Sequence, residues 1–216
     1  MPDPSEPNRT VAAPSDPHSS AASDPDATAA ASSPGSASAP GFGPPAAAGE
    51  VGTLGPYRVV KELGKGGMGA VYLAIDTRLG RKVAFKVMLP EFAADRDSKE
   101  RFLREARAAA NIAHDNVVAV HEADERDGVP YIAMQFLQGY PLDQYLNTKG
   151  APGMHHVIRI AQETALGLAA AHKVGLVHRD IKPANLWLEA PNGRVKVLDF
   201  GQIGRASCRE RVYGRV

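Results

Sequence analysis

A chain of 216 residues with 25 Lys and Arg against 24 Asp and Glu lacks the basic excess on which nucleic-acid binding draws. Its one cysteine is compatible with a reducing cytoplasm, and no apolar run in it reaches membrane-spanning length.

Residues 1–55 are dominated by Pro, Ala, Ser, Gly and Asp, and before Leu54 the larger apolar groups are Met1, Val11, Phe42 and Val51. Such a stretch cannot bury enough surface to offset its chain entropy, which predicts a disordered spacer over 1–55. It has neither the basic start nor the apolar run of a signal peptide. Its serines are available as autophosphorylation acceptors. Six acids and one base fall within residues 1–50, and four arginines within the last dozen, so the part between is only mildly basic.

Residues 57–63 and 71–75 are rich in Val, Tyr, Leu and Ile, predicting two strands. Between them, Leu63-Gly64-Lys65-Gly66-Gly67-Met68-Gly69-Ala70-Val71 fits G-x-G-x-x-G-x-V. Alone that pattern is weak, because dinucleotide-binding folds use it as well. There the glycines lead into a helix. Here they join two strands, so they form a hairpin whose backbone can close over phosphates. The phosphate loop G-x-x-x-x-G-K-[ST] is absent. Val83-Ala84-Phe85-Lys86 predicts a third strand. Phe102, Leu103, Ala106, Ala109, Ala110 and Ile112 make an apolar stripe on a helix over 98–112. Strands follow at 117–121 and 130–135, helices at 142–148 and 152–173, and short strands at 186–188 and 195–198. His114, His121, His155, His156 and His172 lack His-Glu-x-x-His spacing or a Cys/His grouping, which argues against a metal site.

The chemistry concentrates in His178-Arg179-Asp180-Ile181-Lys182-Pro183-Ala184-Asn185 and in Asp199-Phe200-Gly201. Phosphoryl transfer needs positioning, held magnesium ions and neutralised phosphate charge rather than covalent help. A loop leaving a helix and entering a strand can aim Asp180 at a substrate hydroxyl, with Asn185 and Asp199 turned toward metal. The octapeptide resembles the catalytic loop, and Asp199-Phe200-Gly201 the metal-binding motif, of bacterial eukaryotic-like serine/threonine protein kinases.

The resemblance spans residues 57–201 and implies an α+β, two-lobed fold. Its small lobe and hinge (56–137) would be complete, an antiparallel sheet plus one helix, and its large lobe (138–201) truncated. It implies ATP and Mg2+, with Mn2+ as a substitute, and Ser/Thr-bearing protein substrates. Asp180 would be the catalytic base. Lys182 would offset charge on the transferred group and favours Ser/Thr over Tyr. Lys86 would contact the α- and β-phosphates, tethered by Glu105, which lies nine residues before His114; Glu100 sits too near the helix start. Asn185 and Asp199 would hold metal. The nucleotide would lie among Leu63, Gly64, Gly66, Gly67, Gly69, Val71 and Ala84, with Met134 behind adenine and the backbone of Gln135 to Leu137 bonding it. The family often has glutamate where Gln135 stands. Arg179 implies regulation by activation-loop phosphorylation, and His178 is expected to pack near Phe200. A small-molecule kinase is disfavoured by Lys182-Pro183. A non-catalytic nucleotide- or partner-binding pseudokinase fragment is the alternative for a chain that ends after Gly201. The expected location is the cytoplasm, with a membrane anchor downstream compatible with the family.

Residues 202–216 resemble no activation segment. Residues 203–212 instead resemble one reading frame of a short-read sequencing adapter, and residues 213–215 its variable index. This predicts that the tail is foreign, Cys208 included; without an activation segment and the remaining large-lobe helices, the chain by itself is expected to be poorly folded and inactive.

Overall fold

The computed structural model describes residues 41–200; the expectations for residues 1–40 and for the tail lie outside that range. Six strands form one antiparallel sheet: β1 (Gly52–Leu54), β2 (Tyr57–Lys65), β3 (Gly69–Asp76), β4 (Arg81–Met88), β5 (Val120–Arg126) and β6 (Val129–Gln135). Their spatial order is β1-β2-β3-β4-β6-β5. Period-two alternation sets the faces. On β4, Val83, Phe85 and Val87 enter a core with Tyr57, Val59, Tyr72, Ala74, Tyr131 and Ala133. Ala84 and Lys86 therefore face the other way. The Phe85 ring lies 4.8 Å from that of Tyr57 and 5.0 Å from that of Tyr131.

Two helices accompany the sheet, α1 (Pro90–Ala93) and α2 (Arg96–Ala110), where the sequence predicts one. The extra single turn starts where Pro90 occupies a first-turn position and needs no N–H donor. Asp95 caps α2 by accepting from the Ser98 N–H at 3.0 Å, which moves its start ahead of residue 98. Phe102, Leu103 and Ala106 pack against Met88 and Ile132.

The expected disordered segment over 1–55 is too long at its C-terminal end. Residue 43 bridges Thr53, Leu54 is buried, and β1 pairs with β2. Phe42 sets its ring edge-on to Tyr72 at 5.2 Å, and Glu50 pairs with Arg58. Two isolated apolar residues, Phe42 and Val51, suffice because an existing core receives them.

The large lobe contains β7 (Gly139–Pro141), α3 (Leu142–Lys149), α4 (Met154–Lys173), β8 (Leu186–Glu189) and β9 (Arg194–Val197). Its strands pair antiparallel as β7-β8-β9, and β7 was not foreseen. Val117, Leu142, Ala171, Leu186, Leu188, Val195 and Val197 form its core. The strand expected over 117–121 is also displaced. Residues 116–118 bond the large lobe: the Val118 N–H donates to the Val197 carbonyl (3.1 Å) and the Val197 N–H to the Asn116 carbonyl (2.8 Å). The stretch turns to the small sheet at Ala119, whose carbonyl accepts from the Gln135 N–H, and β5 begins at Val120. Gly167 on α4 permits the close approach, since a Cβ there would lie 2.7 Å from the Asn116 carbonyl oxygen.

Candidate active site

The catalytic-loop residues lie between α4 and β8, pinned from both sides. His178 is 2% exposed. Its Nε2 is 2.7 Å from the Leu198 carbonyl oxygen, and its Nδ1 accepts from the Asp180 N–H at 3.2 Å. A carbonyl can only accept and an N–H only donate, so the ring is the neutral Nε2–H tautomer. Its face meets Phe200 edge-on at 4.9 Å, the packing expected for it. Arg179 (φ 66°) and Asp199 (φ 51°) adopt left-handed backbone, a strained choice for non-glycine residues that clusters at functional sites.

Asp180, Lys182 and Asn185 converge. Lys182 Nζ is 2.7 Å from Asp180 Oδ2. Asn185 Nδ2 donates to the Asp180 carbonyl at 2.8 Å and to Oδ2 at 3.2 Å. The Lys182 hydrogen bond, assisted by that of Asn185, holds the Asp180 carboxyl below the usual carboxylate range. A 3₁₀ turn, Pro183–Asn185, sets this spacing. The Leu198 N–H donates to the Asn185 carbonyl at 3.0 Å, bringing Asn185 beside the strand exit that carries Asp199.

From the small lobe, Lys86 reaches Asp199 Oδ1 at 3.0 Å. The expected tether to Glu105 is not formed: among the described residues no ion pair joins Lys86 to Glu105. Burial instead pushes the Glu105 carboxyl up, while Arg101, Arg104 and Arg179 draw it down. The reason is competition. Asp199 offers a partly exposed carboxylate directly across the cleft, whereas Glu105 is partly desolvated on α2.

The other expected nucleotide residues fall in register. Val71 pairs with Lys86, Leu73 with Ala84, and Ala84 with Met134. Leu63, Gly64, Gly66 and Gly67 lie on or beside the β2–β3 hairpin, closed by the Gly66 N–H donating to the Gly69 carbonyl at 2.8 Å. A Cβ on Gly64 or Gly67 would meet nothing within 4 Å, whereas one on Gly69 would lie 2.6 Å from the Val87 carbonyl oxygen. Gly64 and Gly67 thus leave space above the hairpin, while Gly69 is required by strand packing. Leu137 is buried.

The protein kinase domain family matches residues 57–212. The chain belongs to that family. It is 42% identical over 156 residues to the probable serine/threonine-protein kinase pknA2 of Bifidobacterium longum, covering 71% of this chain and 20% of that protein. It is 40% identical to the serine/threonine-protein kinase PknA of Mycobacterium tuberculosis, covering 68% and 35%. The crystal structure of the Mycobacterium tuberculosis PknI kinase domain superposes with a TM-score of 0.64 at 35% identity, over 71% of this chain and 62% of that one. The kinase fold expected from the motifs is therefore present. The chain spans between 20% and 35% of the length of these relatives, and the family match extends past Gly201 into the tail.

The side-chain partners of Gln135 were not legible in the sequence. Gln135 bonds both Glu189 and Lys196 through its side chain. The available signal was Lys196, a charged residue in the otherwise apolar run Val195 to Leu198. No described helix is long and apolar enough to cross a membrane.

Proposed function

We propose that the intact protein carrying this chain transfers the γ-phosphate of ATP to Ser or Thr hydroxyls of proteins, its own included. The observation that carries this reading is the hydrogen-bonded set Asp180, Lys182 and Asn185, with Asp199 held on Lys86 across the cleft. Asp180, held ionised by Lys182, orients the attacking hydroxyl and takes its proton. Lys182 faces the charge that develops on the transferred group. Lys86 holds the nucleotide phosphates, and residues 64–69 cover them.

Asn185 and Asp199 fit a hard divalent cation. The amide nitrogen of Asn185 is committed to Asp180, leaving its oxygen, and Asp199 brings a partly exposed carboxylate. Oxygen donors of this kind suit Mg2+, with Mn2+ as an alternative. Held there, the ion would supply positive charge to neutralise the phosphates. Main-chain groups of residues 135–137 bond adenine, in front of Met134. A cytoplasmic catalytic domain supplied with ATP is the matching location.

The test is transfer of labelled γ-phosphate from ATP·Mg to a generic protein substrate by the intact protein. Label on protein that disappears with Asp180→Asn supports the reading. Label only on small molecules overturns it. Long-read sequencing of source DNA across the codons for Asp199 to Val216 tests the companion proposal that residues 203–216 are foreign. Recurrence of those codons and of a stop would overturn it.

A further inference from the structure

Lys196 lies on β9 between Val195 and Val197 and is 7% exposed. A lysine withdrawn from water needs an acceptor. Its Nζ donates to Gln135 Oε1 at 3.3 Å. The Gln135 amide nitrogen in turn donates to Glu189 Oε1 at 3.3 Å. Among the described residues Lys196 forms no ion pair, so the hinge amide stands between a buried ammonium and a carboxylate. Both contacts demand the same amide orientation, oxygen toward Lys196 and nitrogen toward Glu189.

Sheet geometry arranges the two charges. Lys196 pairs with Trp187, and Glu189 lies two residues along β8, so all three project from one face. That face also holds the other end of the hinge. The Gln138 carbonyl accepts from Trp187 Nε1 at 3.0 Å and from the Ala190 N–H at 3.0 Å. On the small-lobe side, the Gln135 N–H donates to the Ala119 carbonyl at 2.8 Å. Residues 135–138 are therefore clamped at both ends against β8 and β9, once by a side chain and once by the backbone.

We propose that Gln135 is a positioning residue, whose amide relays between Lys196 and Glu189 and so fixes the hinge backbone that receives adenine. This inference rests on the assignment of residues 135–137 to adenine and deepens it. A glutamate at position 135 would meet Lys196 directly but would set a carboxylate against Glu189. The glutamine therefore suits a hinge flanked by both charges.

The test uses the full chain, with backbone amide hydrogen exchange at residues 136 and 137 and titration with ADP·Mg. Gln135→Met keeps the side-chain length and removes the relay. Exchange at both amides is expected to accelerate, and ADP affinity to fall about three- to tenfold, the worth of a hydrogen bond or two. Gln135→Glu is expected to weaken binding similarly. Gln135→Glu combined with Glu189→Gln inverts the relay and is expected to recover both readouts, which a variant that merely fails to fold would not do. Unchanged exchange in Gln135→Met, or no recovery in the double variant, overturns the proposal. If the unaltered chain binds no ADP while exchange still follows the variants as expected, the clamp is supported and the adenine assignment is overturned.

Discussion

At the scale of single residues, hydrogen bonds determine which charges are available for chemistry. His178 is spent on structure, since both its nitrogens are engaged, and Asp180 is the group left facing the cleft with its carboxyl held ionised by Lys182. Asp180→Asn removes the proposed proton acceptor while keeping the shape, and should slow phosphoryl transfer by the intact protein about a hundred- to ten-thousandfold. Lys86→Met should likewise abolish measurable transfer, and normal rates in both variants would refute the assignments. A second residue-scale prediction concerns stability. Glu122 accepts from Tyr131 (2.6 Å), Tyr57 (2.7 Å) and Arg78 (2.7 Å). Burial acts to raise its carboxyl, but those three hydrogen bonds outweigh burial and leave it below the ordinary value. A carboxylate lowered in the folded state contributes stability that is full above its unfolded value, about 4.3. The contribution is lost as pH falls through the folded value. Glu122→Gln should therefore be less stable by about 1–3 kcal/mol at pH 7, with the difference closing below about pH 4. Urea denaturation at several pH values checks this; a difference independent of pH would contradict it.

At the scale of elements, helix α4 shows packing overruling propensity. Replacing a mid-helix glycine with alanine ordinarily gains about 1 kcal/mol. At Gly167 the added Cβ would lie 2.7 Å from the Asn116 carbonyl oxygen and 3.1 Å from Val197 Cγ2. That carbonyl accepts from the Val197 N–H and has little room to move. Gly167→Ala should thus destabilise by about 1–3 kcal/mol, the usual range for overpacking, and a raised melting temperature would refute the argument. At α2, Asp95→Ala should lose about 1 kcal/mol through the N-cap, measurable as lowered denaturant midpoint. Element legibility followed pattern strength. The stripe on α2 and the alternation on β4 were plain in the sequence. Residues 117 and 118 looked like part of a small-lobe strand because Val117 and Val118 favour any strand, and nothing local says which lobe receives them.

At the scale of the molecule, two lobes are held together by the hinge at 135–138, by the pairing of residues 116–118 with β9, and by Lys86 on Asp199. Helix α4 nevertheless presents Met154, Ile158 and Leu166 to solvent, at 73%, 59% and 50% exposure. Patches of this kind promote association. The chain is expected to enhance the fluorescence of a hydrophobic dye and to self-associate in sedimentation. A dye-silent monomer with one sharp, cooperative melting transition would contradict that expectation.

Family, glycine hairpin and most elements were determined by the sequence alone, because each rests on residues close together in the chain. Turn chemistry, period-two alternation and the eight-residue run from His178 to Asn185 are local and need no partner to be recognised. Tertiary structure alone decided the partners. Lys86 meets Asp199, 113 positions along the numbered chain, rather than Glu105, and Lys196 meets Gln135. Phe42 and Val51 become ordered by joining a core built elsewhere. Ion pairs and hydrogen bonds act over a few ångströms of space, and separation along the chain does not specify which groups will be brought that close.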